Sequence, residues 1–120
     1  MDITTQRRDE RLDKIFQHYG LKAQAQQLCE ECGELIVAVS KLARDISPVN
    51  TASLAEEIVD VNIMSRQFIQ AMGDFPNRLL SDIAEEKIER QLKKIRIETG
   101  APLETRRIKK PCQTQTESDR

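Results

Sequence analysis

The 120 residues carry 19 basic and 20 acidic side chains, a formal net charge of -1, which gives no electrostatic basis for coating nucleic acid or an anionic membrane surface. Aromatic residues make up 3% and tryptophan is absent, so the core has to come from Leu, Ile, Val, Ala and Met, which suits helix packing better than a β-sandwich. No apolar run reaches the ~20 residues of a membrane span, and no signal-peptide segment follows the polar start, so a cytoplasmic, single-domain, all-α protein is expected.

Residues 1–8 are expected to be a flexible N-terminus ahead of an all-α domain over 9–98. The first helix is expected from Asp9 to Tyr19, with Leu12, Ile15, Phe16 and Tyr19 as its apolar stripe and Gly20 as its stop. His18 and Tyr19 form a polar-tipped aromatic pair at its end, which either packs on the bundle or offers a surface on which a nucleobase stacks. The second helix is expected from Leu21 to Arg44. At about 100° per residue, its Leu28, Cys32, Leu35, Val39 and Leu42 share one face. Cys29-x-x-Cys32 has the spacing of a zinc or redox pair, but it lies inside a continuous helical pattern with no strand before it, and Cys112 alone cannot complete a tetrahedral site. Cys32 is therefore assigned to the core and Cys29 to its edge.

A loop is expected over Asp45–Thr51, where Pro48 disfavours helix at Ser47. Ser53-Leu54-Ala55-Glu56 has the form of a capping box, which starts a third helix there and gives Glu56 a structural role. This helix should end near Met72 and Gly73, and Asp74 and Pro76 signal the next start. The short connection makes the second and third helices antiparallel neighbours. The fourth helix, Pro76 to Glu98, carries Leu80, Ala84, Ile88, Leu92 and Ile95 at helical spacing, with Lys87 and Arg90 beside that stripe. These two bases either pair with Glu86 and Glu89 at the surface or face a polyphosphate. Residues 99–120, with the cluster Arg106-Arg107-Ile108-Lys109-Lys110, read as a disordered polar tail.

One pattern occurs twice. Leu28-Cys29-Glu30-Glu31-Cys32-Gly33-Glu34-Leu35 is matched by Leu54-Ala55-Glu56-Glu57-Ile58-Val59-Asp60-Val61. In each copy an i, i+3 carboxylate pair borders the apolar face, Glu31 with Glu34 and Glu57 with Asp60. If the helices are neighbours, four like charges converge at the edge of a low-dielectric core, which is unfavourable unless a cation neutralises them. An all-oxygen donor set selects Mg²⁺, Mn²⁺ or Ca²⁺, whereas zinc and di-iron sites recruit thiolate or histidine. The single histidine lies outside both copies. One Glu-x-x-Glu by itself reads as solvated surface; two matched copies favour convergence. Lys41, two turns beyond Glu34 on the carboxylate side, is a phosphate-binding candidate.

These residues resemble the MazG-like all-α nucleoside triphosphate pyrophosphohydrolases, whose motif Glu-Glu-x-x-Glu, spacer, Glu-x-x-Asp reads here as Glu30-Glu31-Cys32-Gly33-Glu34 and Glu57-Ile58-Val59-Asp60. The resemblance covers about Leu12 to Ile97 and is strongest to short, single-domain members. It implies a four-helix bundle-like protomer, Mg²⁺ (or Mn²⁺) held by Glu31, Glu34, Glu57 and Asp60, and cleavage of a nucleoside triphosphate between its α and β phosphates. It also favours Lys87 as a phosphate contact. Gln91 stands where many relatives have asparagine, so the sugar or leaving-group contact departs from the family pattern. Glu30 points away from Glu31 on the helical wheel and is left as a surface or supporting residue.

Apolar residues off the main stripes, Ile36 and Val37, Ile63 and Ile69, Leu79 and Ile83, need cover, so a homo-oligomer is expected. The resemblance adds that relatives form dimers or pairs of dimers with shared pockets. The runner-up function is a non-enzymatic helical interaction protein. A di-iron or di-manganese oxidoreductase would need a Glu-x-x-His pair that the chain lacks.

Overall fold

A computed structural model describes residues 7–73 and 77–100, without the side chains of 77–79. Among them are four helices, α1 (Glu10–Tyr19), α2 (Leu21–Arg44), α3 (Pro48–Ala71) and α4 (Asn77–Thr99), and no strand. The all-α expectation is met. None of these helices is long and apolar enough to cross a membrane. The expected flexible start over 1–6, the tail beyond Gly100 and the signals at Asp74 and Pro76 lie outside the described residues. The chain divides into a first unit ending at Ser81 and a second beginning at Asp82.

In the first unit α1, α2 and α3 pack on one another. Asp9 caps α1 by accepting the Arg11 N–H at 3.0 Å, and Arg11 also grips its carboxylate at 2.7 Å. That side-chain hydrogen bond is the largest cause holding the Asp9 carboxyl down to about 2. Gln70 of α3 fastens this end of α1 in place. It accepts the Asp9 N–H at 2.9 Å and donates to the Asp9 carbonyl at 3.0 Å and to Asp13 Oδ1 at 2.8 Å. Leu12 is buried, and Phe16 meets Phe68 edge to face at 5.3 Å. Tyr19, expected in the same stripe, is exposed. Gly20, at φ +89°, ends α1 and admits α2 at the next residue, a backbone turn that a Cβ would oppose.

The start of α3 corrects the sequence reading. Helix begins at Pro48, five residues before the expected cap at Ser53. Ser47 is the N-cap, extended at φ -136° and ψ 161°, and its hydroxyl accepts the Asn50 N–H at 3.2 Å. The restriction that proline places on its predecessor is the conformation an N-cap requires, and proline at the first helical position gives up an N–H that would have been unbonded anyway. Pro48 therefore starts the helix. Glu56 has no capping role and is exposed, and the connection shrinks to Asp45–Ser47, which holds α2 and α3 close and antiparallel.

Both long helices also turn a different face inward from the one expected. The side chains of α2 that are buried or partly buried include Gln24, Leu28, Glu31, Leu35, Ala38 and Leu42, and those of α3 include Asn50, Leu54, Glu57, Val61, Met64 and Phe68. Each set alternates steps of four and three residues, the spacing of a two-helix seam. The sequence pattern centres the expected faces on Leu28 (with Cys32, Leu35, Val39 and Leu42) and on Leu54 (with Ile58, Val61, Ser65 and Phe68); relative to these, both helices are rotated by about 40°, at about 100° per residue, toward the carboxylates. Cys32, assigned to the core, is exposed along with Cys29, and Val39 and Ile58 are about half exposed. Composition makes this possible, since both helices carry apolar residues on adjacent sectors and either sector could form a seam.

Polar bonds at its two ends select the seam. Gln24 and Gln67, 5% and 2% exposed, join through Gln24 Nε2 to Gln67 Oε1 at 2.8 Å. At the other end Asn50 Nδ2 donates to the Asp45 carbonyl at 2.8 Å and, longer, to the Lys41 carbonyl at 3.5 Å. The antiparallel register that sets Gln24 opposite Gln67 and Lys41 opposite Asn50 sets Glu31 opposite Asp60 and Glu34 opposite Glu57.

Candidate metal centre

The rotation brings Glu31 and Glu57 from the border of the apolar face into the seam. Oxygens of Glu31, Glu57 and Asp60 lie within 4.8 Å of one another, one contributed by α2 and two by successive turns of α3. Glu31 Oε1 accepts Gln27 Nε2 at 2.6 Å. Glu31 Oε2 and Glu57 Oε2 are buried with no hydrogen-bond partner. A buried carboxylate oxygen normally has a partner, because desolvation otherwise goes uncompensated.

Glu34 stands outside the tight triad but within its field. Burial pushes the Glu57 carboxyl above its ordinary 4.5, and repulsion from Glu34, then Asp60, then Glu31 adds to the rise. A hydrogen bond between the Glu57 and Glu34 carboxyl groups also favours the protonated form. All four acids singled out in the sequence therefore act on one another around Glu57. The donor set is all oxygen, its charge is in excess, and two of its oxygens are buried and unpartnered. Those features fit a hard divalent cation such as Mg²⁺ or Mn²⁺.

A groove of about 470 Å³ opens beside the cluster, lined by Glu34 and Glu57 together with Glu30, Lys41, Ser53 and the apolar Val37 and Ala38. Lys41 thus shares a groove with two of the acids, on the side expected for it. Glu30, left as a surface or supporting residue, lines the groove as well. Ser53 was missed. Its pattern suggested a helix cap, and only the earlier start of α3 places it one turn before Glu57 on the groove wall.

His18 and Tyr19 form an edge-to-face pair at 4.7 Å, both exposed, and neither is among the residues lining the groove. Lys87 and Arg90 belong to α4 in the second unit, and both are exposed. Arg90 reaches Glu86 at 3.5 Å as an i, i+4 pair with both side chains more than half exposed, a contact that holds Arg90 only weakly. No protein-family model, curated protein or solved structure matches the chain.

Proposed function

We propose that the chain is a Mg²⁺-dependent nucleoside triphosphate pyrophosphohydrolase, releasing a monophosphate and pyrophosphate from a nucleotide of the cytoplasmic pool. The observation that carries this reading is the cluster itself: carboxylates from two antiparallel helices, with buried unpartnered oxygens, beside a groove that a lysine lines. The doubled acidic motif and its resemblance to the MazG-like family supply the reaction class.

Glu31, Glu57 and Asp60 would hold the metal, with Glu34 completing the set. When bound, Mg²⁺ would neutralise phosphate oxygens and lower the pKa of an attacking water. Glu34, outside the tight triad and on the groove wall, would be the member of the set least engaged by the metal, and in that state would accept that water's proton. Lys41 and the Ser53 hydroxyl would orient the polyphosphate along the groove. Lys87 is proposed as a further phosphate contact.

Assaying pyrophosphate release from a panel of canonical and modified nucleotides with Mg²⁺ tests the proposal. Release from at least one nucleotide is expected, and its absence across the panel would overturn the reading. Lys41→Ala and Lys87→Ala should each lower kcat/KM about tenfold or more while changing metal affinity little. Arg90, held only by the screened pair with Glu86, is proposed as a phosphate contact beside Lys87, and Arg90→Ala should lower kcat/KM by less than Lys87→Ala does. A parallel loss of metal affinity in Lys41→Ala would move Lys41 from phosphate binding to support of the cluster.

A homo-oligomer is part of the same proposal. α3 has few charges and apolar residues all round, a composition suited to a helix covered on every side, yet Val49, Ile58, Val59 and Ile63 are exposed. On α2 the outer sector holds Leu21, Cys32, Ile36 and Val39, all exposed. A second copy on these faces would bury them. Light scattering at micromolar concentration should give at least twice the mass of the chain, and an active, strictly monomeric protein would contradict the interface. The same faces favour the alternative of a non-enzymatic interaction module, which predicts assembly without saturable Mg²⁺ binding.

A further inference from the structure

Gln27 lies one turn before Glu31 on α2, partly buried at the seam. Its Nε2 donates to Glu31 Oε1 at 2.6 Å, while Glu31 Oε2 remains buried and unpartnered. In the register set by Gln24 and Gln67, position 27 falls opposite Met64, which is buried. If packing were the only demand, leucine there would fill the seam without desolvating an amide. A carboxylate with one oxygen held by an amide loses freedom in its outer torsions, and its second oxygen acquires a fixed direction. Only the NH₂ side of the amide can face a carboxylate, so the geometry also fixes the orientation of Gln27.

We infer that Gln27 is a positioning residue: it holds Glu31 by one oxygen so that the other is presented to a divalent cation shared with Glu57 and Asp60. This rests on the metal reading of the cluster. Supporting hydrogen bonds of this kind orient a ligand before the metal arrives, and their loss lowers metal affinity by about 10–100-fold. The role differs from that of Gln24 one turn earlier, which bonds Gln67 across the seam and touches no acid of the cluster.

The test is calorimetric titration of Mn²⁺ into the full chain and into Gln27→Leu and Gln27→Met, with melting of each protein in EDTA. Two apolar replacements of different shape guard against a packing failure in one of them. Both variants are expected to bind Mn²⁺ about tenfold or more weakly and to stay folded in EDTA, melting no more than about 8 °C below wild type, the shift expected from one lost part-buried hydrogen bond. Affinity within twofold of wild type in either folded variant would overturn the positioning role while leaving the metal reading intact. Weaker binding accompanied by a melting temperature in EDTA lowered by more than about 8 °C in both variants would make Gln27 a structural residue and overturn the role as well. Failure of the wild-type chain to bind Mn²⁺ would overturn the metal reading and this inference with it.

Discussion

Asp60→Asn is expected to lower kcat/KM for the proposed nucleotide hydrolysis on the order of a hundredfold or more, with the metal-free fold as stable as wild type or more so. The substitution keeps the shape and removes a charge from a set whose members repel one another around Glu57. Glu57→Gln should behave alike in activity and differ in its pH response. Because the folded-state value of Glu57 lies above its ordinary 4.5, its protonation stabilises the metal-free fold fully below about that pH. This contribution is lost as pH rises through the raised value. The wild-type chain in EDTA should therefore melt higher near pH 5 than near pH 7.5 on account of this group. Asp9, held at about 2, titrates below that window. Glu57→Gln should flatten the slope, and saturating Mg²⁺ should flatten it in wild type. A variant with wild-type turnover in Mg²⁺ would remove its residue from the ligand set.

The buried glutamine pair should produce the largest effect on folding. Gln24→Leu or Gln67→Leu leaves one buried amide without its partner, a cost of about 1–3 kcal/mol. The double variant replaces both by apolar groups and should recover most of that loss, so the substitutions should be strongly non-additive in a double-mutant cycle read by denaturant unfolding. Polar pairs inside a helix seam fix register, so the double variant should be stable yet bind Mn²⁺ more weakly, as Glu31 and Asp60 lose their fixed opposition. Full stability together with full metal affinity would assign the register to Asn50 and the apolar stripes alone.

The helices could be read from residues that act locally. Asp9, Gly20 and Gly73 mark ends, and long 3.6-residue periodicity marks interiors, so three of the four helices fall within about a residue of expectation. Pro48 was misread because it disfavours helix at Ser47 and favours helix after itself, and Ser47 satisfies both conditions. The convergence of Glu31, Glu34, Glu57 and Asp60 was also legible, since it depends only on matched spacing and an antiparallel pair. The inward face was not. α2 and α3 present adjacent apolar sectors, and the choice between them falls to Gln24 bonding Gln67 and to the Asp45–Ser47 connection, contacts made between helices. This rotation also separates Glu31 and Glu57, which enter the seam, from Glu34, which stays at the groove. Gln27 escaped notice for the same reason: its value lies in what Glu31 faces.

Whether the carboxylates of Glu31, Glu34, Glu57 and Asp60 form a cation site is tested directly by titrating Mn²⁺ into the purified, metal-free chain by calorimetry. Saturable binding is expected at whole-number stoichiometry per chain, competed by Mg²⁺, abolished or greatly weakened in Asp60→Asn, and accompanied by a rise in melting temperature at neutral pH. No saturable heat, or binding that Asp60→Asn and Glu57→Gln leave unchanged, would contradict it.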